Sequence, residues 1–365
     1  MQVIDIPETA LTVKPNYTER PDLTVVAEIK AHIKQTGAPH LWPGHTHTKP
    51  PRGAIVRYLG EFDLPPPHAG PRNRERWAPC PCCKPYTPWY YKDGRIAWFP
   101  EERVIRNMGG DCFKSINASG HAEAERLFRE EEAERRNEAY LLRCLPQVPE
   151  ALAAIEQNAP IISEIDRVRF ILSDRMTRTI GFDLWAHLRS DGVLRYEVTR
   201  TERRVDRSGN ESTATVYDLE RYGPLAGFEM LKPNVVPIAE RVERFASRLR
   251  TLNFGESSAD AVARMDRQER TRAAKNIGTI PDINELISEA ETVRQMLSPL
   301  ALGSLNGWGR TPGAPAKIYI SLSDDRTQLF LGNTKEDARA VRINIAFFNN
   351  MRRMPAISRL TRQFE

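Results

Sequence analysis

The stretch that decides the fold of the N-terminal part of this chain is Trp77-Ala78-Pro79-Cys80-Pro81-Cys82-Cys83-Lys84. Cys80 and Cys83 form a C-x2-C pair, in which two intervening residues let a tight turn direct both sulfur atoms at one ion. Cys112 follows after 28 residues and His121 after eight more. An odd number of cysteines, five in all and three of them within four residues, favours metal binding over a disulfide framework.

Cys80, Cys83, Cys112 and His121 together make a Cys3His set, which is typical of a structural zinc site. Four protein ligands leave no position for water or substrate, so the predicted ion stabilises the fold and does not catalyse. Cys82 is an additional thiol that can replace one of these ligands. The fourth ligand therefore remains open between His121 and Cys82.

The residues between the ligands are predicted to form a hairpin around Asp93-Gly94 and then a helical turn over 101–107. With the glycines at 109–110 before Cys112, this order of knuckle, hairpin and glycine-preceded ligand resembles treble-clef zinc modules over about residues 77–121. A segment with so few aliphatic residues cannot fold on its apolar core alone. We therefore expect zinc to supply much of its folding free energy.

The length of 365 residues predicts two or three domains, at roughly 100–200 residues each. The predicted class is α+β, with a small zinc-stabilised module followed by an antiparallel β meander and several helices. We divide the chain into an N-terminal helix, strand and Pro-rich segment (1–70), the zinc module (71–121), a connecting charged helix (122–160) and a C-terminal α+β domain (161–365).

Apolar and polar residues alternate in the C-terminal domain, which predicts strands over 182–188 and 194–198 and from residue 214 onward, with a possible earlier strand at 168–172. A turn is expected at 207–210. Helices are predicted next over 238–252 and 257–276 and from Pro281, followed by strands at 318–322, 328–331 and 341–347.

The sequence argues against a membrane-spanning protein and against a secreted protein. No apolar stretch approaches the roughly 18 residues of a membrane span, and the first eight residues have no basic and apolar signal pattern. We therefore expect a cytoplasmic protein without a membrane partner. The 53 basic and 48 acidic residues leave a net charge of +5, which by itself does not indicate nucleic acid.

Arginines nevertheless cluster in several places. Residues 72–114 contain nine basic and five acidic residues as well as many aromatic side chains. This combination is suited to base stacking and phosphate contact. The candidate nucleic-acid-binding residues are Arg72, Arg74, Arg76, Arg95, Arg203, Arg204, Arg207, Arg241, Arg244 and Arg248. The leading hypothesis is thus a zinc-stabilised, non-enzymatic protein that contacts nucleic acid or a nucleic-acid-handling complex.

Two alternatives stay open. The nearly all-charged middle of the helix predicted at 122–145 suits a docking arm, so the chain can instead be a protein-protein assembly or adaptor subunit. His45 and His47 form an H-x-H pair, which on a strand places both imidazoles on one face; with His40 they suggest a metal-dependent hydrolase. No Ser-His-Asp or paired-carboxylate pattern stands out, and no small-molecule substrate is inferred.

Overall fold

The computed structural model describes residues 17–64, 78–83, 85, 93–205, 211–252 and 257–359. The chain divides into two compact units, Met1–Arg136 and Asn137–Glu365. Helices and antiparallel sheets occur together in the described residues, which confirms the α+β class. The four-part division proposed from the sequence stays a prediction.

The first unit is built on a three-stranded antiparallel sheet in the order β1-β2-β3. Its elements are α1 (Leu23–Thr36), β1 (Arg57–Asp63), β2 (Asp93–Phe99), β3 (Val104–Gly109) and the greater part of α2 (Ala118–Cys144), with 3-10 turns at Pro39–Leu41 and Cys112–Ser115.

Helix α1 begins and ends at capping residues that the sequence supplies. The Asp22 carboxylate accepts from the Thr24 and Val25 amides, and Gly37 ends the helix with a φ of 66°. Its apolar face, which includes Ile29 and Ile33, is fully buried against β1. A Cβ at Gly60 in β1 would lie 2.9 Å from Val26, so glycine permits this close approach.

The predicted hairpin is displaced along the chain. Asp93-Gly94 begins strand β2 and does not form a turn; the hairpin joins β2 to β3 through residues 100–103, where Arg103 has a φ of 57°. The helical turn predicted at 101–107 is wrong, because the β-branched Val104 and Ile105 favour a strand that is buried throughout. The strand expected before Asp93, over 89–92, lies outside the described residues.

The second unit is mostly helical. Its elements are α3 (Val148–Ile180), α4 (Leu184–Leu188), β4 (Val193–Val205), β5 (Glu211–Pro224), α5 (Ile238–Arg250), α6 (Ser258–Arg264), α7 (Arg267–Ile277), α8 (Ile280–Arg294), α9 (Pro299–Arg310), β6 (Tyr319–Leu322), β7 (Gln328–Gly332) and β8 (Arg339–Arg342), with 3-10 turns at Leu145–Gln147, Phe228–Leu231, Gln295–Leu297 and Ile345–Phe348. Strands β6, β7 and β8 form a second three-stranded antiparallel sheet.

The buried helix α3 lies at the centre of this unit, packed against α5, α8 and β7. The strand predicted at 168–172 is wrong because these residues lie inside α3. The strand predicted at 182–188 is wrong as well: Asp183 accepts from the Ala186 amide and caps the short helix α4. The predicted helix 257–276 is interrupted by a capping box between Asp266 and Glu269, which begins α7.

Alternation correctly predicts strands within β4 and β5, but the expected meander is a two-stranded ribbon. The turn predicted at 207–210 lies outside the described residues. The ribbon is anchored at its base, where the Trp308 indole, fully buried, donates to the Arg195 carbonyl at 2.7 Å. Among the described residues, no helix has the length and apolarity needed to cross a bilayer.

Candidate metal centre

Three of the predicted ligands come together. The Sγ atoms of Cys80, Cys83 and Cys112 all lie within 4.8 Å of one another, and the Cys83 and Cys112 sulfurs are 3.4 Å apart. This is the one group of three or more potential ligands that meets so closely within the part of the chain that the structure describes. Three thiols at such distances are a donor set for a soft or borderline divalent ion.

The backbone on both sides of the sheet brings these thiols together. Cys80 and Cys83 lie on a turn at 80–83, and the β2–β3 hairpin returns the chain so that β3 ends beside them at Gly109. Cys112 then opens the 3-10 turn Cys112–Ser115, which is fixed by Phe113 packing edge-on against Phe99 at 5.6 Å. The hairpin therefore positions Cys112 opposite the C-x2-C turn.

Hydrogen bonding within the cluster separates the thiol pKa values. Hydrogen bonds from the Cys112, Cys82 and Cys83 thiols, aided by the Gly109 backbone, lower the pKa of Cys80. The hydrogen bond to Cys80, together with burial, raises the pKa of Cys112. Cys80 is thus the preferred thiolate, and a divalent cation is what allows its neighbours to ionise as well.

His121 is not brought into this group. Its Nδ1 lies 2.6 Å from the Tyr58 hydroxyl of β1, and its Nε2 lies 3.8 Å from the Asp111 carboxylate. The tyrosine hydroxyl is held neutral because burial raises its pKa. His121 therefore ties α2 to the sheet.

Cys82, the alternative ligand, is not a member of this group of three sulfurs. Its buried sulfur lies 3.0 Å from the Met108 sulfur and belongs to the apolar core of the first unit. The hydrogen bond to Cys80 and burial both raise its pKa, which keeps it protonated. In this position Cys82 behaves as a small apolar side chain.

A cluster of histidines lies beside the thiols. The His45 and His47 rings are 5.5 Å apart and both are buried, and the His40 ring lies 6.5 Å from His47. Burial lowers the pKa of all three, to about 4 for His40. The H-x-H pattern indicated that His45 and His47 lie together, but the sequence spacing did not predict that they lie near Cys80. The charge on Cys80 acts to raise the pKa of both histidines, against the larger effect of burial.

The arginine candidates divide into paired, exposed and undescribed residues. Arg95 contacts Glu61 and Glu125, Arg241 contacts Glu289 at 2.7 Å, and Arg244 contacts Glu240. Arg203 and Arg204 are exposed near the outer end of the ribbon. Outside the described residues lie Arg72, Arg74, Arg76 and Arg207.

Arg248 differs from these, because it lines a groove of about 820 Å³ between α5, α6 and α7. Arg264 and Arg272 line the same groove, and among its described lining residues Glu269 is the carboxylate. Arg248 and Arg272 are both exposed, and neither forms an ion pair within the described part of the chain. The groove thus brings together arginines that the sequence analysis had assigned to two separate helices.

The charged helix that suggested a docking arm is α2. Many of its charges are paired within the first unit: Arg126 contacts Glu123 and Glu130, and Arg20 contacts Glu131 at 2.5 Å. These ion pairs allow the charged residues of α2 to stabilise the first unit itself. The docking function itself stays a prediction.

In comparisons with known proteins, no family model, no curated protein and no solved structure matches this chain.

Proposed function

We propose that this protein is a zinc-stabilised binding protein, in which one Zn²⁺ held by Cys80, Cys83 and Cys112 organises the first unit. The observation that carries the proposal is the convergence of the three sulfur atoms within 4.8 Å. Thiolates select zinc or copper(I) over magnesium and calcium, and zinc suits a site that needs no redox chemistry. All five cysteines are free thiols, which supports a reducing, cytoplasmic location.

A structural role fits the place of the cluster in the fold. It joins the end of β3 and the 3-10 turn at Cys112 to the 80–83 turn, so one ion cross-links segments distant in sequence. The His45 and His47 rings are buried, which disfavours the substrate access that a hydrolase requires. We therefore propose a stabilising ion, and hydrolase chemistry remains the weaker hypothesis.

Cobalt(II) substitution tests the site. Co²⁺ bound by thiolates produces sulfur-to-metal charge-transfer absorption in the near ultraviolet, so we expect a saturable band at one equivalent of Co²⁺. Cys112→Ser should lose most of this band. Cys144→Ser is the matched control, because Cys144 is buried in the apolar core of the second unit and is not a member of the cluster. A spectrum without charge transfer, or one unchanged in Cys112→Ser, argues against the proposed ion.

The binding partner that we propose is nucleic acid, and the Arg248 groove supports it. Arg248 and Arg272 are exposed and available for phosphate, while Ser247, Thr251 and Asn276 add hydrogen-bonding groups to the lining. Phosphate contacts release counterions, so affinity for RNA or DNA should fall as salt rises.

Arginine substitutions test this partner. Arg248→Ala and Arg272→Ala should each weaken binding across sequences and reduce the slope of log affinity against log salt by about one. Arg244→Ala is the control, since Arg244 lies on the same helix but contacts Glu240. Fluorescence anisotropy with a labelled oligonucleotide measures the change. Salt-independent binding, or equal losses in all three variants, would remove nucleic acid from the account and favour a protein partner.

A further inference from the structure

A further cleft in the second unit lies between α3 and the segment 232–237 that leads into α5. Its volume is about 320 Å³, at the lower end of the range of small-molecule sites. None of its described lining residues lines the Arg248 groove. Arg169 is the buried one among them, whereas Phe170 and Val236 are exposed. The cleft therefore combines a buried charged group with exposed apolar side chains.

The guanidinium of Arg169 is only partly used by the protein. Its Nη2 donates to the Glu229 carbonyl at 3.1 Å, and its Nη1 lies 3.8 Å from the Glu289 carboxylate, too far for a hydrogen bond. Glu289 is held more closely by Arg241, at 2.7 Å. Within the described residues, Nε and Nη1 of Arg169 have no hydrogen-bond acceptor. Burial lowers the pKa of Arg169, but a guanidinium stays protonated in proteins, so a positive charge with two unused donors lines the cleft.

Asp166 contributes an unused acceptor beside these donors. It lies three residues before Arg169 in α3, a spacing that places both side chains on one face of the helix. Its Oδ2 accepts the Ala239 amide at 2.8 Å, whereas its Oδ1 is buried and has no donor in the part of the chain that the structure describes. Burial raises the pKa of Asp166, while the Ala239 and Ile238 amides and the charge on Arg169 act in the opposite direction. One face of α3 thus offers a ligand both donors and an acceptor.

The two charges indicate the chemistry of the ligand. A simple anion would pair with Arg169 and leave Asp166 without a partner, and a simple cation would do the reverse, which is costly for buried charges. A zwitterion supplies an acceptor and a donor together and adds no net charge. The carboxylate and ammonium of an α-amino acid are attached to the same carbon, which suits two side chains of one helix face. Phe170 and Val236, 73% and 47% exposed, offer an apolar surface to the rest of such a ligand.

We propose that this cleft binds a free α-amino acid with an apolar side chain, with its carboxylate on Arg169 and its ammonium on Asp166. The inference goes beyond the zinc ion and the nucleic-acid partner proposed above and depends on neither of them. Binding would give hydrogen-bond partners to polar atoms that the fold buries without them. The amino acid should therefore also stabilise the second unit against unfolding.

Derivatives of one amino acid test the two charged contacts. L-leucine should bind the full chain saturably in isothermal titration calorimetry. N-acetyl-L-leucine lacks the ammonium and L-leucinamide lacks the carboxylate, so each should bind about 10–100-fold more weakly, the contribution of one hydrogen bond to a charged group. Equal affinity of L-leucine and either derivative would overturn the proposal, as would the absence of binding by leucine, methionine and phenylalanine alike.

Substitutions assign these contacts to the cleft. Asp166→Asn should weaken L-leucine by about the same factor as removal of the ammonium, without weakening N-acetyl-L-leucine, whereas a folding defect would weaken both ligands. Phe170→Ala, at an exposed position, should weaken L-leucine several-fold. Leu300→Ala is the matched control, because Leu300 is also exposed and apolar but is not among the described residues that line the cleft. Equal losses of both ligands in Asp166→Asn, or wild-type affinity in Phe170→Ala, would contradict the proposed site.

Discussion

We expect removal of the proposed zinc ion to unfold the β2–β3 hairpin and to leave the second unit folded. The apparent binding free energy of structural zinc in small modules is about 10–16 kcal/mol, which exceeds what several buried side chains contribute. The proposed ion would join the 80–83 turn to Cys112, so its loss would release both ends of the β2–β3 hairpin. Hydrogen exchange of the full chain with and without a chelator should show lost protection in β2 and β3 only.

The control is internal to the same chain. Helix α3 belongs to the second unit and contains none of the thiols, so its protection should not change. Added zinc should restore β2 and β3, and Cys112→Ser should reproduce the chelated pattern without a chelator. Protection that survives in β2 and β3 after complete removal of the metal would show that the apolar core suffices.

Arg106→Met should destabilise the first unit by about 1–3 kcal/mol, because it removes the hydrogen bonds that a fully buried guanidinium makes to its polar partners. Arg106 is fully buried in β3, where it donates to both oxygens of Glu102 and to the Thr48 carbonyl at 2.7 Å. Its guanidinium also lies 4.4 Å from the centre of the Phe99 ring. The substitution leaves the Glu102 carboxylate and the Thr48 carbonyl without this partner.

Urea unfolding in excess zinc, followed by hydrogen exchange in the first unit, measures the loss. Arg126→Met is the matched control, because Arg126 also contacts two glutamates but is exposed on α2. Exposed ion pairs contribute little, so this variant should stay close to wild type. Similar losses in the two variants would contradict the role given to burial.

The sequence predicts the parts of the site that depend on local spacing. Cys80 and Cys83 share one turn, so their convergence follows from two intervening residues. To predict that Cys112 lies near this turn, it was enough to expect a hairpin between Cys83 and Cys112, whatever the register of its strands. The failure of His121 to join the thiols depends on a long-range contact, because His121 meets Tyr58 on β1 and sequence spacing does not show this pairing.

The prediction of secondary structure from sequence was wrong where the conformation of one residue had more influence than the hydrophobic pattern. The alternation at 182–188 fits a strand, but the Asp183 cap favours a helix. The Asp93-Gly94 pair is a strong hairpin signal, yet the chain turns at Arg103 in a left-handed conformation that non-glycine residues rarely adopt. The long alternation in β4 and β5 was predicted correctly, because period-2 patterning over many residues is hard to mimic.

The metal content of the full chain, purified without chelators, tests the central claim most directly. Elemental analysis should find one zinc per chain in wild type and in Cys144→Ser, and almost none in Cys80→Ser or Cys112→Ser. Wild type that contains no metal after purification and does not take up zinc, or zinc retained in full by both cluster variants, would contradict the account.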